Sequence, residues 1–169
     1  MNSMPDFEAL VEAYSAELFG YVWRMLRDTT DAEDCLQETF LRAYRSFVRL
    51  RPDTNHRAWL YKIATNTTRT RLKQRGRIAA RTIDLDPDLQ SDKSLPAEQI
   101  DQRQLIQVVA RAVEALPDQQ RAALIMRKYQ ELSYAEIAAA LDCAEESARA
   151  NVYQALKKLR RQFAGEESR

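Results

Sequence analysis

Between Gly76 and Ala97 the sequence loses its helical period: Asp, Ser, Pro and Gln dominate, and Pro87 and Pro96 interrupt what remains. On both sides of this stretch apolar residues recur at three- and four-residue steps, the pattern of amphipathic helices. A chain interrupted in this way folds as two small units on a tether rather than as one bundle. The 169 residues include only 3 Gly and 5 Pro, too few turn-formers for a series of β-hairpins. The expectation is an all-α protein, with two helical domains over residues 1–77 and 98–169 and a flexible acidic linker over 78–97. Each unit has enough chain for a core but little surplus.

The periodicity places the helices. Phe7, Leu10, Val11, Tyr14, Leu18, Val22, Met25 and Leu26 form one stripe, predicting a helix from about Asp6 to Arg27. Thr30 followed by Glu33 reads as a capping box that opens a second helix, with Cys35, Leu36, Phe40, Ala43, Tyr44 and Phe47 inward. Pro52 breaks the chain, and Asn55 is a suitable N-cap for a third helix. There Trp59, Leu60, Ile63 and Ala64 face the core, and the opposite side, with Lys62, Asn66, Arg69 and Lys73, is left to bind phosphate. After the linker, periodicity runs from Ile100 to Leu116, stops at Pro117 and resumes through Leu124 to Tyr129. Ser133 with Glu136 forms another capping box, Asp142 to Ala144 make a turn, and a last helix runs from about Glu145 to Gln162. Ser133 to Arg161 therefore reads as a helix-turn-helix, four helices making up the C-terminal domain.

A net charge of +1 conceals strong segregation. Arg49 to Arg81 carries ten basic residues against Asp53 alone, a net of +9. Thr82 to Asp101 carries six acids against Lys93, a net of −5, and Asp28 to Glu38 holds five acids and no base. The basic block suits nucleic acid; the second acidic patch suits a basic protein partner. Cys35, Cys143 and His56 stand at no metal-ligand spacing, so neither zinc nor a disulfide is expected, and no cofactor is indicated. The sequence has no apolar run of bilayer length and no secretory leader, which points to a cytoplasmic protein without membrane contact of its own.

Three segments, in order, carry a family resemblance: Asp31-Ala-Glu-Asp-Cys-Leu-Gln-Glu-Thr-Phe-Leu-Arg-Ala-Tyr-Arg45; Arg57-Ala-Trp-Leu-Tyr-Lys-Ile-Ala-Thr-Asn66; and Leu116-Pro with Leu132-Ser-Tyr-Ala-Glu-Ile-Ala-Ala-Ala-Leu141. The chain resembles an extracytoplasmic-function (ECF) sigma factor of the sigma-70 family. The resemblance implies a non-enzymatic initiation factor that binds core RNA polymerase, recognises promoter DNA at minus-ten and minus-thirty-five elements, and helps open the duplex. It implies polymerase contacts at Asp31, Asp34, Gln37, Glu38 and Arg42. It places minus-ten binding on Arg51, Asn55, His56, Arg57 and Trp59, with Trp59 equally suited to the core. Asn66, able to donate and accept, is the best base reader there. Lys62, Arg69, Arg71, Lys73, Arg75 and Arg77 are expected on phosphates, which fix register without reading sequence.

For the minus-thirty-five element the last helix would enter the major groove, with Ser147, Arg149, Ala150, Asn151, Tyr153 and Gln154 as readers and Lys157, Lys158 and Arg160 on phosphate. Here the chain departs from the family pattern: where many members carry Ser or Thr caps and several arginines, this helix has Ala144 at the cap and Glu146, Asn151, Gln154 and Leu156 along it. Asn and Gln pair with adenine, so an unusual element with adenine reading is expected. The family also implies an anti-sigma factor that clamps the two domains and hides both surfaces. Its linker threads towards the polymerase's RNA exit path, a role that a plain solvated tether would not have. Two other classes remain open: a stand-alone helix-turn-helix regulator, disfavoured by the lack of a dimerisation or ligand domain, and an adaptor acting only through proteins, which would leave the +9 block without a purpose.

Overall fold

The computed structural model describes residues 5–83 and 101–165. Among them the ordered elements are all helices: α1 (Phe7–Leu26), α2 (Thr29–Phe47), α3 (His56–Ile83), α4 (Gln102–Glu114), α5 (Asp118–Lys128), α6 (Tyr134–Leu141) and α7 (Glu145–Ala164). Most of the acidic linker lies outside the described residues.

The first reversal is built from two adjacent residues. Arg27 ends α1 in the left-handed region at φ 55°, its backbone N–H donating to the Trp23 carbonyl at 2.6 Å. Asp28 then caps α2 by accepting from the Asp31 N–H at 2.8 Å. The cap is therefore Asp28 and not the expected Thr30. A carboxylate one residue after the turn reaches the open amides first, and its charge suits a helix N-terminus.

A second difference concerns α3, which continues through Gly76 to Ile83 although the sequence pattern stops at Gly76. One glycine inside a helix costs only about 1 kcal/mol, and the Arg, Ile and Ala residues that follow favour helix. The linker's first residues are thus helical. Asn55 does cap α3, its Oδ1 accepting from the Ala58 N–H at 3.0 Å. On the far side of the linker Asp101 and Gln104 form a capping box that opens α4, beyond the one expected at Ser133 and Glu136, which is also present.

In the N-terminal unit Leu18, Tyr21, Val22 and Met25 of α1 meet Ala32, Cys35 and Ala43 of α2 and Leu60, Tyr61 and Ala64 of α3, all buried. The Tyr21 and Tyr61 rings stand edge to face, 5.2 Å between centroids. Burial pushes the Tyr21 hydroxyl up to about 12, and it hydrogen-bonds Thr65 at 2.8 Å. In the C-terminal unit Leu116, Leu124, Ile125, Leu132, Ile137, Leu141 and Val152 form the core, with Ala122, Ala138, Ala148 and Ala155 keeping side-chain bulk low between helices.

The two units are in contact and their buried residues form one continuous apolar cluster. α3 packs on α6, and α1 on α5. Arg121 of α5 is buried and donates to the Met25 carbonyl at 3.2 Å, placing a cation at the C-terminal end of α1.

Candidate functional site

The acidic patch of α2 divides by burial. Asp31 turns inward, accepting from Arg71 Nε at 3.0 Å and Arg75 Nε at 2.8 Å as well as from a second guanidinium nitrogen of each. The two guanidiniums hold its carboxyl below the usual carboxylate range against the opposing effect of burial. Arg75 also donates to the Leu26 carbonyl at 2.6 Å, so this cluster ties the α1 end, the α2 start and α3 together. Asp34, Gln37 and Arg42 are exposed, and Arg42 pairs with half-buried Glu38 at 2.7 Å. These four form the accessible part of the set expected to face the polymerase; Asp31 holds the scaffold behind them.

Along α3 the expected DNA-facing residues fall into four groups. Asn66, Lys73 and Arg77 are exposed, as is Arg51 in the loop before the helix. Trp59 is half-buried against the core, its ring 6.5 Å from that of Phe47. Arg71 and Arg75 are engaged by Asp31. The remaining residues other than His56 meet the C-terminal unit, which corrects the expectation of a wholly unoccupied face. Asn55 Nδ2 donates to Glu136 Oε1 at 3.4 Å; Arg57 Nη1 lies 3.5 Å from Glu136 Oε2 and Arg57 Nη2 donates to the Gln130 carbonyl at 2.7 Å. Lys62 stands 3.9 Å from Asp142, and Arg69 donates to Gln119 at 2.6 Å. His56 is half-buried, with its Nε2 enclosed and lacking a hydrogen-bond partner.

Glu17, which the sequence did not single out, orients this node. It accepts from Arg57 at 2.9 to 3.2 Å and from the Tyr61 hydroxyl at 2.7 Å. The contact joins residues forty apart in sequence, and no local pattern announces it.

On α7, Ala148, Val152 and Ala155 are buried and the residues expected to read bases flank them. Ser147, Arg149, Ala150, Tyr153, Gln154, Lys157, Lys158 and Arg160 are exposed, and Asn151 is half-buried. Arg149 pairs with Glu145 at 3.0 Å and its guanidinium lies 4.5 Å from the centre of the Tyr134 ring. Ala144 caps α7 without a side-chain bond, leaving the first amides of the helix to outside partners. Asp142 makes the turn in the left-handed region at φ 54°. Among the described residues no helix is long and apolar enough to cross a membrane.

This arrangement of a basic three-helix unit followed by a helix-turn-helix recurs in known proteins. Residues 10–78 match the Sigma-70 region 2 model and residues 106–159 the Sigma-70, region 4 model. The RNA polymerase sigma-H factor of Pseudomonas aeruginosa is 31% identical over 160 residues, covering 88% of this chain and 81% of that protein. The ECF RNA polymerase sigma-E factor of Escherichia coli K12 is 33% identical over 158 residues, covering 88% and 82%. In fold, the chain is similar to the sigma factor RpoE of Bartonella quintana, solved with the anti-sigma factor NepR, at a TM-score of 0.72 and 23% identity over 94% of this chain and 97% of that one. Region 2 ahead of region 4, with relatives alike along most of both chains, shows that this chain belongs to the ECF sigma factors, the promoter-recognition subunits of bacterial RNA polymerase.

Proposed function

We propose that the promoter contacts divide between two helices: α3 with its preceding loop reads and melts the minus-ten element, and α7 reads the minus-thirty-five element from the major groove. The observation that carries this reading is the exposed Asn66, an amide side chain among the cations of α3 and on the face away from buried Leu60 and Ala64. A base taken out of the stack needs a polar edge partner and cations that hold the displaced strand. Arg51, Lys73 and Arg77 supply the cations, with Arg57, Lys62 and Arg69 joining once the C-terminal unit moves away. On α7, Gln154 and Asn151 read adenine, Arg149 and Tyr153 flank them, and Lys157, Lys158 and Arg160 hold phosphate.

Core polymerase binds on α2 through Asp34, Gln37, Glu38 and Arg42. The protein works in the cytoplasm as a non-catalytic subunit, and an anti-sigma factor controls it. An apolar groove of about 430 Å³ between α1 and α4, with Trp23, Leu105, Ile106, Val109 and Tyr129 in its walls and Arg24 and Arg27 at its rim, suits an acidic amphipathic helix of that regulator. The test of the minus-ten assignment is permanganate footprinting of holoenzyme on its promoter. Asn66→Ala should abolish thymine reactivity around minus ten while leaving core binding intact; unchanged reactivity would remove Asn66 from the role.

A further inference from the structure

Arg149 of α7 is held on two sides. Its Nη2 donates to Glu145 one turn earlier at 3.0 Å, and its guanidinium carbon lies 4.5 Å from the centre of the Tyr134 ring, the range of a stacked cation and aromatic. The ring is itself fixed. Tyr134 is the first residue of α6, directly after the Ser133 cap, and is half-buried against the C-terminal core. Arg127 of α5 lies 4.3 Å from the same ring centre, and its Nη1 donates to the Leu132 carbonyl at 3.1 Å. Three helices therefore meet at one tyrosine. No local motif announces the arrangement, because Arg127, Tyr134 and Arg149 belong to separate helices.

We propose that Tyr134 is a positioning residue for Arg149, and that Arg149, held in this way, reads a guanine of the minus-thirty-five element beside the adenines assigned to Asn151 and Gln154. This inference rests on the reading of α7 as the minus-thirty-five helix. A guanidinium has two separate binding surfaces: its flat face takes an aromatic ring, while its N–H edge forks to the O6 and N7 of guanine. Tyr134 occupies the face and leaves the edge to Glu145. That carboxylate is readily replaced, because the pair is exposed, with side-chain exposures of 58% and 50%, and an exposed pair contributes little. A base edge can thus displace Glu145 while the ring contact persists. An arginine on a free surface loses rotamer freedom when it meets its base, and it bears that cost only at the matched base pair. Stacking on Tyr134 lowers the cost in advance, which sharpens the preference for guanine at that position.

Run-off transcription by the holoenzyme on a promoter library randomised across the minus-thirty-five element gives the base preference at each position. The wild type should prefer guanine at one position, and Arg149→Ala should lower that preference about tenfold. Arg149→Lys, which keeps the charge without the fork, should do the same. Tyr134→Leu, which keeps the apolar packing, should lower it about threefold at that position alone, whereas Tyr134→Phe, which keeps the ring, should stay close to wild type. In the Arg149→Ala background Tyr134→Leu should have no further effect there, as two residues acting through one contact require. A Leu variant that lowers every position equally would reduce Tyr134 to structural support and overturn the positioning role. So would a Phe variant that loses the guanine preference, or a double variant whose preference at that position falls further. A minus-thirty-five motif in which no guanine depends on Arg149 would overturn the proposal and leave α7 as the reader; a wild type without preference anywhere in the element would fault that reading itself.

Discussion

Arg57 of α3 and Glu136 of α6 lie 3.5 Å apart, each about three-quarters buried, although one belongs to the basic unit and the other to the helix-turn-helix. Arg57 is held for this contact from within its own unit by Glu17, whose carboxylate accepts from it and from the Tyr61 hydroxyl. Because Arg57 is also among the cations proposed for the minus-ten strand, replacing Glu17 by Gln should loosen its side chain and weaken promoter opening several-fold while core binding stays intact. The comparison of open-complex formation with core association on the same preparation checks this split.

The Asp31 cluster gives a stability prediction with a defined sign. Its folded-state pKa lies below the ordinary value of 3.8, so the stabilisation it contributes is fully present above that value and is lost as pH falls through the folded-state pKa. Asp31→Asn should cost about 1 kcal/mol at neutral pH, the partial exposure of Arg71 and Arg75 limiting the figure. Urea unfolding at a series of pH values should show the wild-type and variant stabilities converging below pH 4. A difference that persists undiminished at the acid end would contradict the account.

Tyr21→Phe tests the buried polar link in the core. The Thr65 hydroxyl already donates to the Tyr61 carbonyl at 2.7 Å, which makes Tyr21 the donor in the 2.8 Å bond between the two hydroxyls. Losing that donor leaves little volume change and should cost about 1 kcal/mol, read as a lowered denaturant midpoint with an unchanged slope. A midpoint equal to wild type would mean that the bond adds nothing to stability.

On α7, Gln154→Ala should relax the minus-thirty-five preference at one base pair by about 1–3 kcal/mol, whereas Lys158→Ala should weaken binding evenly across sequences and flatten its salt dependence. Promoter-variant competition at two ionic strengths distinguishes the two behaviours.

Much of the fold was legible because the helices carry their own punctuation: the apolar stripe of α1, the Asn55 cap, the Ser133 to Glu136 box and the break at Pro117 are all local. The errors were local too. Asp28 displaced Thr30 as the α2 cap because the turn at Arg27 presents it first, and α3 ran through Gly76 because one glycine does not outweigh the helix-formers after it. Thr65, Thr67 and Thr68 pass for exposed polar residues in the sequence, yet they are buried, each donating to the carbonyl four residues earlier. The candidate surfaces were legible by charge and motif. The partners of Arg57, Lys62 and Arg69 were not, since Glu136, Asp142 and Gln119 lie fifty or more residues away and their contact depends on how the two units pack.

The most direct test is run-off transcription by bacterial core polymerase with this protein on a pool of randomised promoters, comparing wild type, Asn66→Ala and Gln154→Ala. The account predicts a two-part upstream motif for the wild type, with Asn66→Ala degrading the minus-ten half alone and Gln154→Ala the minus-thirty-five half alone. Transcripts whose selected motif is the same for all three proteins would contradict the assignment of α3 and α7 as the two readers.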